Sequence, residues 1–185
     1  KMDRHLDEEL ADLKKELLKI GILVEHAILE SIEALKQHSL DEANKVIVDD
    51  KIIDELENAI DERCLDLLAL KQPMAIDLRF ITMSMKISTD LERIADLAVD
   101  IAQRVQDLIG KPLLKPLIDI PKLTNLAQQM TKEALDAFVN KDAESFNSRL
   151  PSIIEDALSN RREIIKKDKE ILVGLDIPEK KSKSI

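Results

Sequence analysis

A row of acids on one predicted helix is the feature of this chain best suited to bind a ligand. Glu92, Asp96 and Asp100 recur at every fourth residue, so on a helix they lie on a single face. Like charges at this spacing destabilise an isolated helix by roughly 0.2–0.5 kcal/mol per pair. Because carboxylate oxygens are the ligands that hard cations prefer, the row predicts a cation site.

The apolar residues of the same segment indicate which way the acids point. They step by four and by three, which predicts a buried stripe along the helix. Its members are Ile87, Leu91, Ile94, Ala98, Ile101, Val105 and Leu108. At about 100° per residue the acids fall roughly opposite this stripe, so we expect them to face outward.

The composition favours an all-α protein. The 185 residues are 44% hydrophobic and 35% charged, with three Gly, three Phe and neither Trp nor Tyr. Strands are enriched in aromatic and β-branched residues, whereas this mixture is typical of a helical bundle built from Leu, Ile and Ala. The formal net charge of −9 argues against nucleic acid as a partner, since phosphate backbones select basic faces.

The remaining chemistry-bearing residues predict a cytoplasmic protein without enzymatic activity. Cys64 is the single cysteine, which suits a reducing compartment, and we expect it to be a buried apolar side chain. No apolar run reaches the roughly 18 residues of a membrane span. The sequence contains no nucleophile–base constellation, glycine-rich phosphate loop or zinc-type Cys/His spacing.

The hydrophobic periodicity predicts five helices. Ser39 or Asp41 is the expected N-cap of the second helix, and Pro73 is expected to end that helix. The predicted bounds are about 6–34, 39 or 41 to 71, 77–108, 123–138, and 142 or 151 to 173.

Two halves of the chain resemble each other at an offset of about a hundred residues. Glu33-Ala34-Leu35 returns as Glu133-Ala134-Leu135, which predicts a duplicated helical unit. The expected domains are a three-helix bundle over 2–110, a proline-rich connection over 111–121, an incomplete second repeat over 122–175 and a basic tail over 176–185. A repeat with two helices leaves an apolar groove that would recruit a partner; the groove residues are Phe138, Leu150, Ile154 and Leu158.

Several stretches together resemble one known family. They are the run from Leu67 to Arg79 around Gln72-Pro73, the run from Leu91 to Asp96, and Leu114-Lys115-Pro116-Leu117. The likeness is to the PhoU family and covers roughly residues 6–145. It implies an all-α fold of tandem three-helix bundles, the second of them incomplete here.

The resemblance also implies a function. Members of the family are negative regulators of high-affinity phosphate uptake and of the phosphate-starvation response. The chain would be an adaptor between the ATPase of the phosphate ABC transporter and a phosphate sensor histidine kinase. It would be a homodimer and would reach the membrane only through these partners. Two other functions stay open: a metal-binding bundle for storage or redox work, and a structural dimerisation module.

The family's paired acid motifs map onto two helices of this chain. Asp50 and Asp54 match on the second helix, while Glu92 and Asp96, extended by Asp100, match on the third. The acids of each pair lie about 6 Å apart between β-carbons. The resemblance therefore implies that adjacent helices present carboxylates to Fe, Mg, Mn or Zn ions.

Overall fold

Long α-helices make up the whole fold that is described. The structure is a computed structural model that describes residues 2–71, 73–111 and 117–174, and this part contains five helices and no strand. The predicted all-α class is confirmed. The helices are α1 Met2–Gln37, α2 Leu40–Lys71, α3 Ala75–Leu108, α4 Asp119–Asn140 and α5 Ala143–Gly174.

Local signals set the turns on either side of α2. The Ser39 hydroxyl accepts a hydrogen bond from the Glu42 N–H at 3.3 Å, which confirms Ser39 as the N-cap and satisfies one unpaired amide of the first turn. α2 ends at Lys71, two residues before Pro73. Met74 is extended, with φ −73° and ψ 165°, and α3 begins at the next residue.

One predicted helix start near a proline is wrong. α4 begins at Asp119 and not near residue 123. Pro121 lies in the first helical turn, where an amide has no intrahelical partner to lose. α5 begins at Ala143, which agrees with the earlier of its two predicted starts, 142 and 151, and Pro151 lies inside this helix. The predicted tail over 176–185 lies outside the described residues.

α1 is the centre of the bundle. Among the described residues it packs against α2, α3 and α4, whereas α5 packs against α4 alone. Its fully buried side chains include Leu13, Leu17, Ile20 and Val24. The α4 residues Leu135 and Val139 belong to the same core as the buried residues of α1, α2 and α3. The fourth helix therefore completes the core of the first three, while the predicted domain bounds stay predictions.

A glycine allows α4 to approach α1 closely. Gly21 is buried on α1, and a β-carbon at this position would overlap the Leu135 side chain of α4. The Gln128 side-chain amide of α4 also donates to the backbone carbonyl of Glu25 at 2.9 Å. The close contact between α1 and α4 is thus favoured by glycine, which has no side chain, at position 21 of α1.

One of the four residues predicted to line the apolar groove of the second repeat lies elsewhere. Phe138 stacks on Phe80 of α3, with ring centroids 5.1 Å apart and planes 7° from parallel, so its assignment to the groove is wrong. Leu150 is half-buried, and Ile154 and Leu158 are exposed on α5. Within the described residues, no helix is long and apolar enough to cross a membrane.

The buried face of α3 differs from the predicted stripe. The most buried positions are mainly small, and the Ser84 and Ser88 hydroxyls each donate to a carbonyl of their own helix at 2.8 Å. These bonds satisfy polar groups that would otherwise be costly to bury. Four predicted core residues are only half-buried: Ile87, Ile94, Ile101 and Leu108. The buried residues from Phe80 to Val105 are Phe80, Ile81, Ser84, Ser88, Leu91, Ala95, Ala98, Ala102 and Val105.

Candidate metal site between the second and third helices

Two side-chain hydrogen bonds set the register of α2 against α3. The Thr89 hydroxyl donates to a Glu57 carboxylate oxygen at 3.0 Å, and the Gln106 amide donates to the Asn44 side-chain oxygen at 2.8 Å. Early residues of α2 thus lie beside late residues of α3, so the two helices run antiparallel. This register places the predicted acids of α2 opposite the stretch of α3 that carries the acidic row.

Four of the five predicted ligands influence one another electrostatically. Burial raises the pKa of Asp50, and the charges of Asp54 and Asp96 raise it further. Burial likewise raises the pKa of Glu92, with Asp96, Asp54, Glu57 and Asp50 adding to the effect. A like charge nearby disfavours the ionised form. The structure therefore brings Asp50, Asp54, Glu92 and Asp96 together.

Asp100 is the predicted ligand that the structure leaves apart. It is exposed and is not among the charges that raise the pKa of Asp50 or Glu92. The outward orientation expected for the whole row is correct for Asp96 and Asp100, which are exposed, but Glu92 is half-buried. Glu92 therefore lies at the edge of the buried face of α3, where the charges of the α2 acids Asp54, Glu57 and Asp50 act on it.

Glu57 belongs to this group and was missed by the sequence analysis. It is half-buried, accepts the hydrogen bond from Thr89, and raises the pKa of Glu92. The signal that could have found it is its position three residues after Asp54, which places it on the same face of α2.

A hollow of mixed charge continues the acidic face toward the end of α2. Asp61 lines it together with Lys86 and Arg93, and one oxygen of Asp61 is buried without a hydrogen-bond partner among the described residues. The Arg93 guanidinium lies 3.9 Å from a carboxylate oxygen of Asp90 on the same helix. Cations from α3 thus border the site on this side.

The donor chemistry suits a hard cation, but the side chains do not converge. In the described part of the chain, no three His, Cys, Asp or Glu side chains form a group that could hold a metal ion. Carboxylates that repel one another without a cation are expected to point apart, so ligation would require side-chain rotations. The metal site stays a prediction, with oxygen donors that fit Mg²⁺, Mn²⁺ or iron better than soft metals.

An arginine on another edge of α2 fixes this helix to α1. The Arg63 guanidinium donates to both oxygens of Glu16, each at 2.8 Å, and to Glu9 at 3.2 Å. All three side chains are half-buried, and bidentate pairs of this type are geometrically specific. The clamp holds α2 in one orientation, which keeps its acidic edge toward α3.

The fold and the site together define a class of protein: a bundle of long antiparallel helices with acidic side chains along one groove between helices. Residues 3–105 match the family described as the PhoU domain. The chain belongs to the PhoU family, as the sequence motifs indicated.

Named relatives support this assignment. The chain is 35% identical over 164 residues to the phosphate-specific transport system accessory protein PhoU homolog 2 of Thermotoga maritima, which covers 88% of this chain and 70% of the relative. It is 38% identical over 137 residues to the PhoU homolog of Aquifex aeolicus, which covers 74% of this chain and 62% of that one. The chain therefore spans less than three quarters of either relative.

Solved structures share the fold. PhoU from Pseudomonas aeruginosa superimposes with a TM-score of 0.72 at 30% identity, covering 90% of this chain and 83% of that one. The phosphate transport system regulatory protein PhoU from Streptococcus pneumoniae gives a TM-score of 0.74 at 29% identity, covering 89% and 79%. The helical bundle is thus the family fold.

Proposed function

We propose that this chain is an accessory protein of phosphate-specific transport and a negative regulator of high-affinity phosphate uptake and the phosphate-starvation response. The observation that carries the proposal is the match of residues 3–105 to the PhoU domain. The names of its relatives, which describe accessory proteins of phosphate-specific transport, support the same role.

The proposed mechanism is that of an adaptor. The chain would bind the ATPase of the phosphate ABC transporter and the phosphate sensor histidine kinase, as a homodimer and in the cytoplasm, where an ATPase meets its nucleotide. Long helices with exposed aliphatic side chains such as Leu65 and Leu70 offer the kind of apolar surface that protein partners use.

We further propose that the acidic groove binds a divalent or ferric cation through Asp50, Asp54, Glu92 and Asp96. Glu57 is an additional oxygen donor at one end of the site, whereas Asp100 lies apart from these residues. The support is the antiparallel register of α2 and α3 and the mutual effect of these charges on the pKa values of Asp50 and Glu92. A bound cation would offset the repulsion and join the two helices more firmly.

Deletion of the gene tests the regulatory role. We expect the deletion strain to take up phosphate and express phosphate-starvation genes in phosphate-rich medium, and we expect a plasmid copy of the gene to restore repression. Uptake of radiolabelled phosphate and a reporter for a starvation gene are the measurements. A deletion strain that keeps normal repression would contradict the proposal.

The acidic groove favours one alternative, a metal-binding bundle for storage or redox work. This alternative expects the deletion strain to repress its phosphate-starvation genes normally while its cellular content of iron or manganese changes. Elemental analysis of the same strains, grown with and without added metal, separates the two functions.

A further inference from the structure

Large apolar side chains are unusually exposed at the turn between α2 and α3 and at the adjoining helix ends. Leu70, Met74 and Ile76 are 73%, 78% and 70% exposed. In the described part of the chain, Val48 is the other large apolar residue that reaches 70%. We refer to Leu70, Lys71, Pro73, Met74 and Ile76 as the hairpin tip.

The composition of the tip is as unusual as its exposure. Residues 67–76 contain a single charged residue, Lys71, in a chain that is 35% charged. Exposed turns are normally polar, and these side chains contribute little to the core because they point into solvent. A cluster of exposed apolar side chains at one place marks an interaction surface.

The charges around the tip indicate what kind of partner it fits. Lys71 and Arg79 are cationic, whereas Asp77 lies in the first turn of α3, where it is stabilised by the helix dipole. The pairing of Arg63 with Glu9 places the acidic start of α1 beside the last turns of α2. An anionic membrane selects a surface with a net positive charge, whereas the charges around the tip are of both signs. An apolar centre with a rim of both charges is typical of a protein interface.

We infer that the hairpin tip is the element through which this chain binds a protein partner. Leu70, Met74 and Ile76 would enter a hollow lined by aliphatic side chains, with carboxylates at its rim facing Lys71 and Arg79. Methionine adapts well to such surfaces because its side chain is flexible. The inference rests on the proposed function, in which the hollow belongs to the ATPase subunit of the phosphate transporter.

Two matched substitutions test the inference in the full chain. Ile76→Glu places a charge at the tip, and Val48→Glu places one at an equally exposed site about 34 Å along α2 from Lys71. Ile76 lies in the first turn of α3, where an acid is compatible with the helix, so both variants should keep the fold. Calorimetric titration with the purified ATPase subunit should show affinity lowered about tenfold or more for Ile76→Glu and within about twofold for Val48→Glu.

The outcomes separate the inference from the proposed function. If the unmodified chain binds the ATPase and Ile76→Glu binds equally well, the tip is not the docking element, although the regulatory role stands. Equal weakening by Val48→Glu would also overturn the inference. If the unmodified chain does not bind the ATPase at all, both proposals fail.

A second measurement distinguishes a protein partner from a lipid surface. Vesicles of phosphatidylglycerol and phosphatidylethanolamine are sedimented with the unmodified chain and with Ile76→Glu. We expect neither protein to sediment with the vesicles. Sedimentation of the unmodified chain that Ile76→Glu abolishes would identify lipid as the occupant and overturn the inference.

Discussion

Cys64 shows how position can decide the chemistry of a single residue. Its side chain is fully buried, and burial, with smaller effects of the Asp61 and Glu16 charges, raises the pKa of the thiol to about 12. The thiolate is the reactive form of cysteine, so the folded chain holds this residue in an unreactive state. The expectation from sequence, a small buried apolar side chain, is confirmed.

This burial predicts that Cys64 reacts only when the chain unfolds. At neutral pH, an aromatic disulfide reagent should label the native protein slowly, whereas labelling in denaturant should be fast and complete. Absorbance of the released thiol gives both rates. Fast, stoichiometric labelling of the native protein would show that the core around α2 opens more readily than its packing indicates.

In the absence of metal, the carboxylates of the acidic groove repel one another, so we expect Asp96→Asn to stabilise the fold. The pKa values of Asp50 and Glu92 are raised above 3.8 and 4.5, so the folded state binds their protons more tightly than the unfolded state does. Stability is then lost as the pH rises from these ordinary values through the raised ones. Asp96→Asn should recover roughly 0.2–0.5 kcal/mol at neutral pH, and this gain should disappear in acid, where Asp50 and Glu92 are protonated.

Metal reverses the sign of this effect if the groove is a cation site. A cation at a hundredfold its dissociation constant should stabilise the unmodified chain by about 2.7 kcal/mol and Asp96→Asn by less. Thermal melts in chelator, Mg²⁺, Mn²⁺ and Fe³⁺ measure both arms, with the exposed Glu62→Gln as a control that should respond like the unmodified chain. Identical melts in every condition would leave no metal site at this groove.

At the scale of the helix, local signals were predictable and packing was not. Ser39 and Pro73 act on their immediate neighbours, so the ends of α2 followed from the sequence. The buried face of α3 did not, because hydrophobicity favours Ile87 and Ile94 whereas close approach of helices favours small side chains such as Ser88 and Ala95. The same error explains why Glu92 was expected to be exposed.

The contact between α4 and α1 predicts a large effect of a side chain at Gly21. Gly21→Leu should lower the free energy of unfolding by about 1–2 kcal/mol, because overpacking against Leu135 outweighs the gain in helix propensity. Ala11→Leu, at an exposed position of the same helix, should change it by less than about 0.5 kcal/mol. Urea unfolding followed by circular dichroism measures both variants, and equal stability of the two would contradict the close contact.

The docking of α4 also marks the limit of what periodicity could predict. The pattern identified a fourth helix but not its neighbour, since Phe138 could equally face α5 or the core. The stacking of Phe138 on Phe80 joins residues far apart in the chain, and the spacing of apolar residues along one helix cannot predict such a contact. The pairing of acids across α2 and α3 could be predicted from the sequence, because the family resemblance supplied the motifs and a short turn joins the two helices.

At the scale of the whole molecule, the bundle is built around one helix. In the described part of the chain α1 touches three other helices and α5 touches one, so local stability should fall from α1 toward α5. The hairpin tip lies at an end of the well-packed part and the acidic groove along its side, so a partner at the tip need not cover the groove. The regulatory role tested by gene deletion would then use two separate surfaces of the bundle.

The ion pairs formed by Arg63 have a mechanical consequence for the alignment of α2 in the bundle. A slide of α2 along α1 by one turn, about 5.4 Å, would pull the guanidinium away from Glu16. The same slide would carry Asp50 and Asp54 past Glu92 and Asp96 on α3. The ion pair on one edge of α2 therefore keeps the carboxylates on another edge aligned with those of α3, and a pull strong enough to break it would also separate the residues proposed to bind a cation.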